Sequence, residues 1–112
     1  MATEESTVEE ADIDGMSAYL AQTTVEFALL FGSHARGVAS ASSDVDIALR
    51  FPEEMNAHER FWLRNRIDAE LQQYTASFVD VSDIDTLPMS VAYAALHEGV
   101  LLTDAFEDEN LE

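Results

Sequence analysis

The stretch VEFALLFGSHARGVASASSDVDIALRF, residues 25–51, decides the fold. An apolar run from Val25 to Phe31 stops at Gly32-Ser33, and Asp44-Val45-Asp46 opens a second apolar run. Residues 25–31 read as a buried strand: continuous, β-branched and aromatic, ended by glycine. Ser33 to Ser40 read as a short helical turn, with Gly37 as its stop. Residues 44–51 read as a second strand that ends at Pro52. Alternation sends Val45, Ile47 and Leu49 to one face, and Asp44, Asp46, Ala48 and Arg50 to the other.

Outward from this pair, residues 13–22 predict a weak helix with Met16, Tyr19 and Leu20 on one side. Residues 56–74 predict the longest helix. Asn56 is its N-cap, Glu59 stands at capping-box spacing, and Phe61, Leu63 or Arg64, Ile67 and Leu71 form its apolar face. Residues 77–84 predict a third strand. Residues 88–99 predict a helix opened by Pro88 and closed by Gly99, and VLLT, 100–103, a last short strand. The expected architecture is α/β (α+β): a single domain over 12–103 with a mixed β-sheet and helices packed on it. An acidic disordered arm, 1–11, and an acidic tail, 104–112, flank it.

The 112 residues suffice for one hydrophobic core, and 47% of them are apolar. There is no cysteine, hence no disulfide framework and no thiolate metal site. No run reaches membrane-spanning length, and the expectation is a soluble, cytoplasmic protein. Charge is the unusual quantity. Asp and Glu number 23 against 5 basic residues, for a net charge of −18. All five are arginines: Arg36, Arg50, Arg60, Arg64 and Arg66. Such a surface repels nucleic acid and anionic membrane. Dense carboxylates without lysine resemble haloarchaeal proteins, in which salt screens the self-repulsion. The fold is therefore expected to be more stable in molar KCl than at low salt. Thermal melts followed by circular dichroism check this, and equal stability in both overturns it.

On this scaffold Gly32-Ser33 stands at the carboxyl end of the first strand. Backbone N–H groups at the mouth of a turn favour an anion, glycine permits close approach of a phosphate, and a serine hydroxyl can donate to it. Asp44 and Asp46 lie on one strand face, roughly 6–7 Å apart at Cα. Two such carboxylates can share Mg²⁺, which takes carboxylate and substrate-phosphate oxygens. A phosphate cradle beside a dicarboxylate suits a Mg²⁺–nucleotide and phosphoryl-type transfer. If the third strand neighbours the second, Asp80 joins the pair, to ligate a metal and accept a proton. Asp83 and Asp85 rank below it, because they lie where the strand runs out toward Pro88.

Gly32-Ser33-His34-Ala35-Arg36-Gly37, Ser43-Asp44-Val45-Asp46-Ile47 and Val79-Asp80-Val81 together resemble the minimal nucleotidyltransferase (MNT) branch of the DNA polymerase β superfamily. The resemblance covers about residues 25–103, and the combined spacing is far more specific than any one piece. It implies a catalytic palm in which Gly32 and Ser33 contact the nucleotide triphosphate. Asp44, Asp46 and Asp80 would be the catalytic and Mg²⁺-holding triad. Arg36 matches a family arginine that serves phosphate contact or loop packing. Ile47 replaces a frequent leucine, and His34 stands where many relatives carry a basic residue. The resemblance also implies ATP as substrate and a HEPN-domain toxin as partner, with AMP passed to a toxin tyrosine, as in MNT antitoxins. At 112 residues the chain is expected to lack the second helical lobe of larger relatives.

Other readings stand beside this one. The chain can be an antitoxin that neutralises a HEPN partner by contact alone, or a transferase acting on a small antibiotic-type molecule. Asp44, Asp46 and Asp80 can be solubilising charges. Arg60, Arg64 and Arg66 are expected to pair along their helix with Glu59, Asp68 and Glu70. Phe61 and Trp62 are expected in the core or a partner interface. His97-Glu98 offsets a helix C-terminus. Asp12-Ile13-Asp14-Gly15 hints at a calcium loop but lacks the later ligands.

Overall fold

A computed structural model of the chain describes residues 12–32, 35 and 44–105. The acidic arm, the turn expected at 33–40 apart from Ala35, and residues 106–112 of the tail lie outside the described residues. In chain order the elements are α1 (Ile13–Leu20), β1 (Phe27–Phe31), β2 (Val45–Arg50), α2 (Ala57–Leu71), β3 (Val79–Asp83), α3 (Met89–Glu98) and β4 (Val100–Asp104). Single 3₁₀ turns, Gln72–Tyr74 and Ile84–Thr86, follow α2 and β3. Every element expected within the described residues is present, with ends displaced by at most three residues.

The four strands form one mixed sheet in the order β3-β2-β1-β4. β1 runs antiparallel to both β2 and β4, whereas β2 and β3 are parallel. A parallel pair needs a crossover of a dozen or more residues, and α2 supplies it. β4 is bulged where Ala28 pairs with Thr103 but Leu29 pairs with Leu101, and it runs one residue beyond VLLT, to Asp104.

Alternation along the strands gives two buried layers. On one face Ala28, Leu30, Val45, Ile47, Leu49, Val79 and Val81 pack with Met16 and Leu20 of α1 and Ile67 and Leu71 of α2. On the other a smaller cluster joins Leu29, Ala48 and Ile84 to Ala95 of α3. Each buried Leu or Ile contributes roughly 1.5–3 kcal/mol relative to exposure, so the larger layer carries most of the stability.

The helix ends follow their local chemistry. The Asn56 side chain accepts from the Glu59 N–H at 2.8 Å, and the Glu59 carboxylate accepts from the Asn56 N–H at 2.9 Å. This reciprocal pair satisfies two otherwise orphaned donors. Asn56→Ala is expected to cost about 1 kcal/mol, read by chemical denaturation. Asp12 accepts from the Gly15 N–H at 3.0 Å, so the Asp12–Gly15 stretch is the N-cap of α1. Gly99 ends α3 in an extended conformation, φ −71° and ψ 159°. It is needed for space: a Cβ there would strike the carbonyl oxygens of Ala95 and Leu30.

Two expectations for α2 are corrected. Phe61 does not join the apolar face; it is 56% exposed, and Trp62 is 62% exposed. Ile67 and Leu71 point at the sheet, and a helix lying on one face of a sheet buries only a narrow stripe. Arg60 does not pair along its own helix. Its guanidinium bridges Asp83 at 3.3 Å and Asp85 at 3.2 Å and donates to the carbonyls of Met55 and Pro52. Asp83 is buried, and a buried carboxylate requires such a partner. Arg60→Met, which strands Asp83, is therefore expected to lower the melting temperature more than Asn56→Ala does.

Candidate active site

Sheet register determines which carboxylates meet. β2 and β3 pair in parallel with Asp46 opposite Asp80, flanked by the pairs Val45–Val79 and Ile47–Val81. The valines and isoleucine enter the larger core, so Asp46 and Asp80 share the opposite face, the one that carries α3. Neighbouring strands stand about 4.8 Å apart. Asp46 is half-buried and Asp80 exposed. Asp44, also exposed, immediately precedes β2.

Antiparallel pairing brings the end of β1 to the same place, with Phe31 opposite Asp46. Gly32 follows at φ +79°, a left-handed conformation that glycine adopts without steric cost. A Cβ at this position would lie 2.5 Å from Oδ2 of Asp46. The missing side chain thus leaves room for the carboxylate at the strand end. The sequence marked Gly32 only for phosphate approach. Its clearance of Asp46 becomes visible once β1 and β2 are registered as antiparallel neighbours.

Gly32, Asp46 and Asp80 are therefore brought together, and Asp44 stands at the head of the same strand. Ser33 and Arg36 lie outside the described residues. Asp83 and Asp85 are occupied elsewhere. Asp83 is tied to Arg60, and Asp85 to Arg60 and to Arg50 at 3.0 Å. On α2, burial raises the Asp68 carboxyl above the ordinary aspartate range, Arg64 opposes the rise and Asp80 adds to it. Asp68 thus feels the charge of Asp80 across the edge of the sheet.

Among the described residues no three His, Asp or Glu side chains converge into a ready metal cage. Mg²⁺ does not require one, since one or two carboxylates and substrate phosphates suffice. The Asp46 carboxylate, given space by Gly32 and set beside Asp80, fits that donor chemistry. A cavity of about 80 Å³ adjoins Gly32, lined by Phe31, Ala35, Ala94 and Glu98. Larger concavities of about 440 and 720 Å³ lie along α2, away from the Asp46–Asp80 pair. No helix of the described residues is long and apolar enough to cross a membrane.

The same fold occurs in solved structures. One of a toxin–antitoxin with AMP-PNP aligns at TM-score 0.59 and 21% identity, covering 88% of this chain and 78% of that one. A tri-AMPylated Shewanella oneidensis HEPN toxin in complex with its MNT antitoxin aligns at TM-score 0.53 and 18% identity, covering 88% and 78%. A structure assigned as a minimal nucleotidyltransferase aligns at TM-score 0.63 and 23% identity, covering 79% and 86%. No curated protein sequence matches the chain. At these identities the structural likeness defines a class, an α/β domain of nucleotidyltransferase fold. Sequence defines the family: the model for polymerase beta nucleotidyltransferases matches residues 16–108. The chain belongs to the polymerase beta nucleotidyltransferase family.

Proposed function

We propose that the chain is a Mg²⁺-dependent nucleotidyltransferase that moves AMP from ATP to a hydroxyl of a partner protein, a tyrosine of a HEPN-domain toxin. The observation that carries this reading is the in-register pair Asp46–Asp80 beside the side-chain-free turn at Gly32. Family membership supports the reaction class. The toxin–antitoxin assemblies among the similar structures, one with AMP-PNP and one with an AMPylated toxin, support the nucleotide and the partner.

In this reading Asp44 and Asp46, with Asp80, hold the cation, and Gly32, Ser33 and Arg36 hold the triphosphate. The bound cation supplies positive charge against the phosphate oxygens. Asp80 accepts the proton of the acceptor hydroxyl. The acceptor oxygen bonds to the α-phosphorus, the bond from that phosphorus to the bridging oxygen breaks, and pyrophosphate leaves.

The test uses ATP labelled at the α-phosphate with Mg²⁺, molar KCl and a co-expressed HEPN-domain protein. Label is expected on the partner. Neutralisation of the partner without ATP or Mg²⁺, and without label, overturns catalysis in favour of contact alone. Label on an aminoglycoside in the absence of any protein partner moves the acceptor to a small molecule.

A further inference from the structure

β3 is an edge strand, and half of its backbone groups face away from β2. Parallel pairing directs the groups of Phe78 and Asp80 inward, as in the 2.8 Å bond from the Val45 N–H to the Phe78 carbonyl. Those of Val79 and Val81 point outward. Bare outward groups are a template for foreign strands. Here Arg64 of α2 and Gln72 of the 3₁₀ turn that follows it reach over the edge to them. The Gln72 side-chain oxygen accepts from the Val79 N–H at 3.1 Å, while its amide nitrogen donates to the Ser77 carbonyl. Arg64 donates through Nη1 to the Val81 carbonyl at 3.1 Å and through Nη2 to the Asn65 side chain at 2.7 Å. The two anchored residues, 79 and 81, bracket Asp80.

We propose that Gln72 and Arg64 are positioning residues, which clamp the outer edge of β3 on both sides of Asp80 and so hold its carboxylate level with that of Asp46. The proposal rests on the reading of Asp80 as part of the cation-holding set. Asp80 is exposed, so burial of its own side chain does not fix its height along the sheet. Its backbone does, and on the solvent side the ties to the flanking residues 79 and 81 come from Gln72, just past α2, and from Arg64 of α2. Arginine suits the task because it reaches an edge carbonyl while a second guanidinium nitrogen is held by Asn65.

The test is a double-mutant cycle on the full chain, with Mn²⁺ as the probe in the presence of a non-hydrolysable ATP analogue. Affinity is read from the electron paramagnetic resonance of free Mn²⁺, and melting temperature is read in parallel. Arg64→Met and Gln72→Met are each expected to weaken Mn²⁺ binding several-fold, with Arg64→Lys restoring part of the loss. In the Asp80→Asn background Arg64→Met and Gln72→Met are expected to change the affinity no further, because their effect passes through Asp80. The same loss with and without Asp80 overturns the proposal and leaves the clamp a stabiliser of the edge only. Wild-type affinity in both Met variants also overturns it. Wild-type affinity in Asp80→Asn alone removes Asp80 from the cation-holding set, and that failure of the underlying reading is distinct from a failure of the clamp. Should Arg64→Met not fold, Gln72→Met completes the cycle.

Discussion

Asp44→Asn combined with Asp46→Asn is expected to abolish transfer of labelled AMP while the protein stays folded. Asparagine keeps the shape of aspartate but removes the charge that holds a hard cation. Charge stabilisation by a bound cation amounts to several kcal/mol at the transition state. At about 1.4 kcal/mol per factor of ten, the loss is at least about 10³-fold. Asp44 is exposed and Asp46 half-buried, and removing two like charges from a chain of net charge −18 relieves repulsion. The expected signature is a cooperative melting transition, as for a folded protein, with no label transferred. Full activity in the double variant refutes the site.

Gly32→Ala is the second large effect, and it works through geometry. Alanine at φ +79° bears a left-handed penalty of about 1–2 kcal/mol. For a domain of this size that lowers the melting temperature by about 4–8 °C per kcal/mol. The added methyl also meets Oδ2 of Asp46 and displaces the carboxylate. Misplacing a reacting group by about 1 Å costs about 10²-fold in rate. Gly99→Ala separates the two causes. Its Cβ strikes only backbone carbonyls of α3 and β1, so it should lower stability while the folded fraction retains its turnover. If Gly32→Ala loses no more activity per folded molecule than Gly99→Ala, clearance of Asp46 is not the role of Gly32.

Much of this molecule was legible before its structure. The Asn56–Glu59 cap is a local pattern with a local cause. The apolar run over residues 25–31 announced a buried strand, and helices do flank the sheet on both faces. Asp44 and Asp46 follow from the two-residue period of one strand. Asp80 was conditional on β3 lying next to β2, a long-range fact that no spacing encodes. The partners of Arg60 were misread for a related reason. Neighbours at helical spacing are visible in sequence, whereas Asp83 and Asp85 arrive through the fold. The exposure of Phe61 and Trp62 was hidden because composition reveals that a helix has apolar residues, not how much of its girth the sheet covers. Ser33 and Arg36 remain as sequence alone reads them.

The parallel pairing of β2 with β3 has a thermodynamic corollary. Asp46 and Asp80 become neighbours only when α2 has crossed between their strands, so the unfolded chain has no counterpart of the site. Any ligand that bridges the two strands therefore draws on the whole folding equilibrium by mass action, with a gain of RT ln(1 + [L]/Kd). At about one hundred times Kd this amounts to about 2.7 kcal/mol. Occupancy and global stability then become one quantity, and thermal denaturation at rising nucleotide and cation concentrations is itself a binding isotherm.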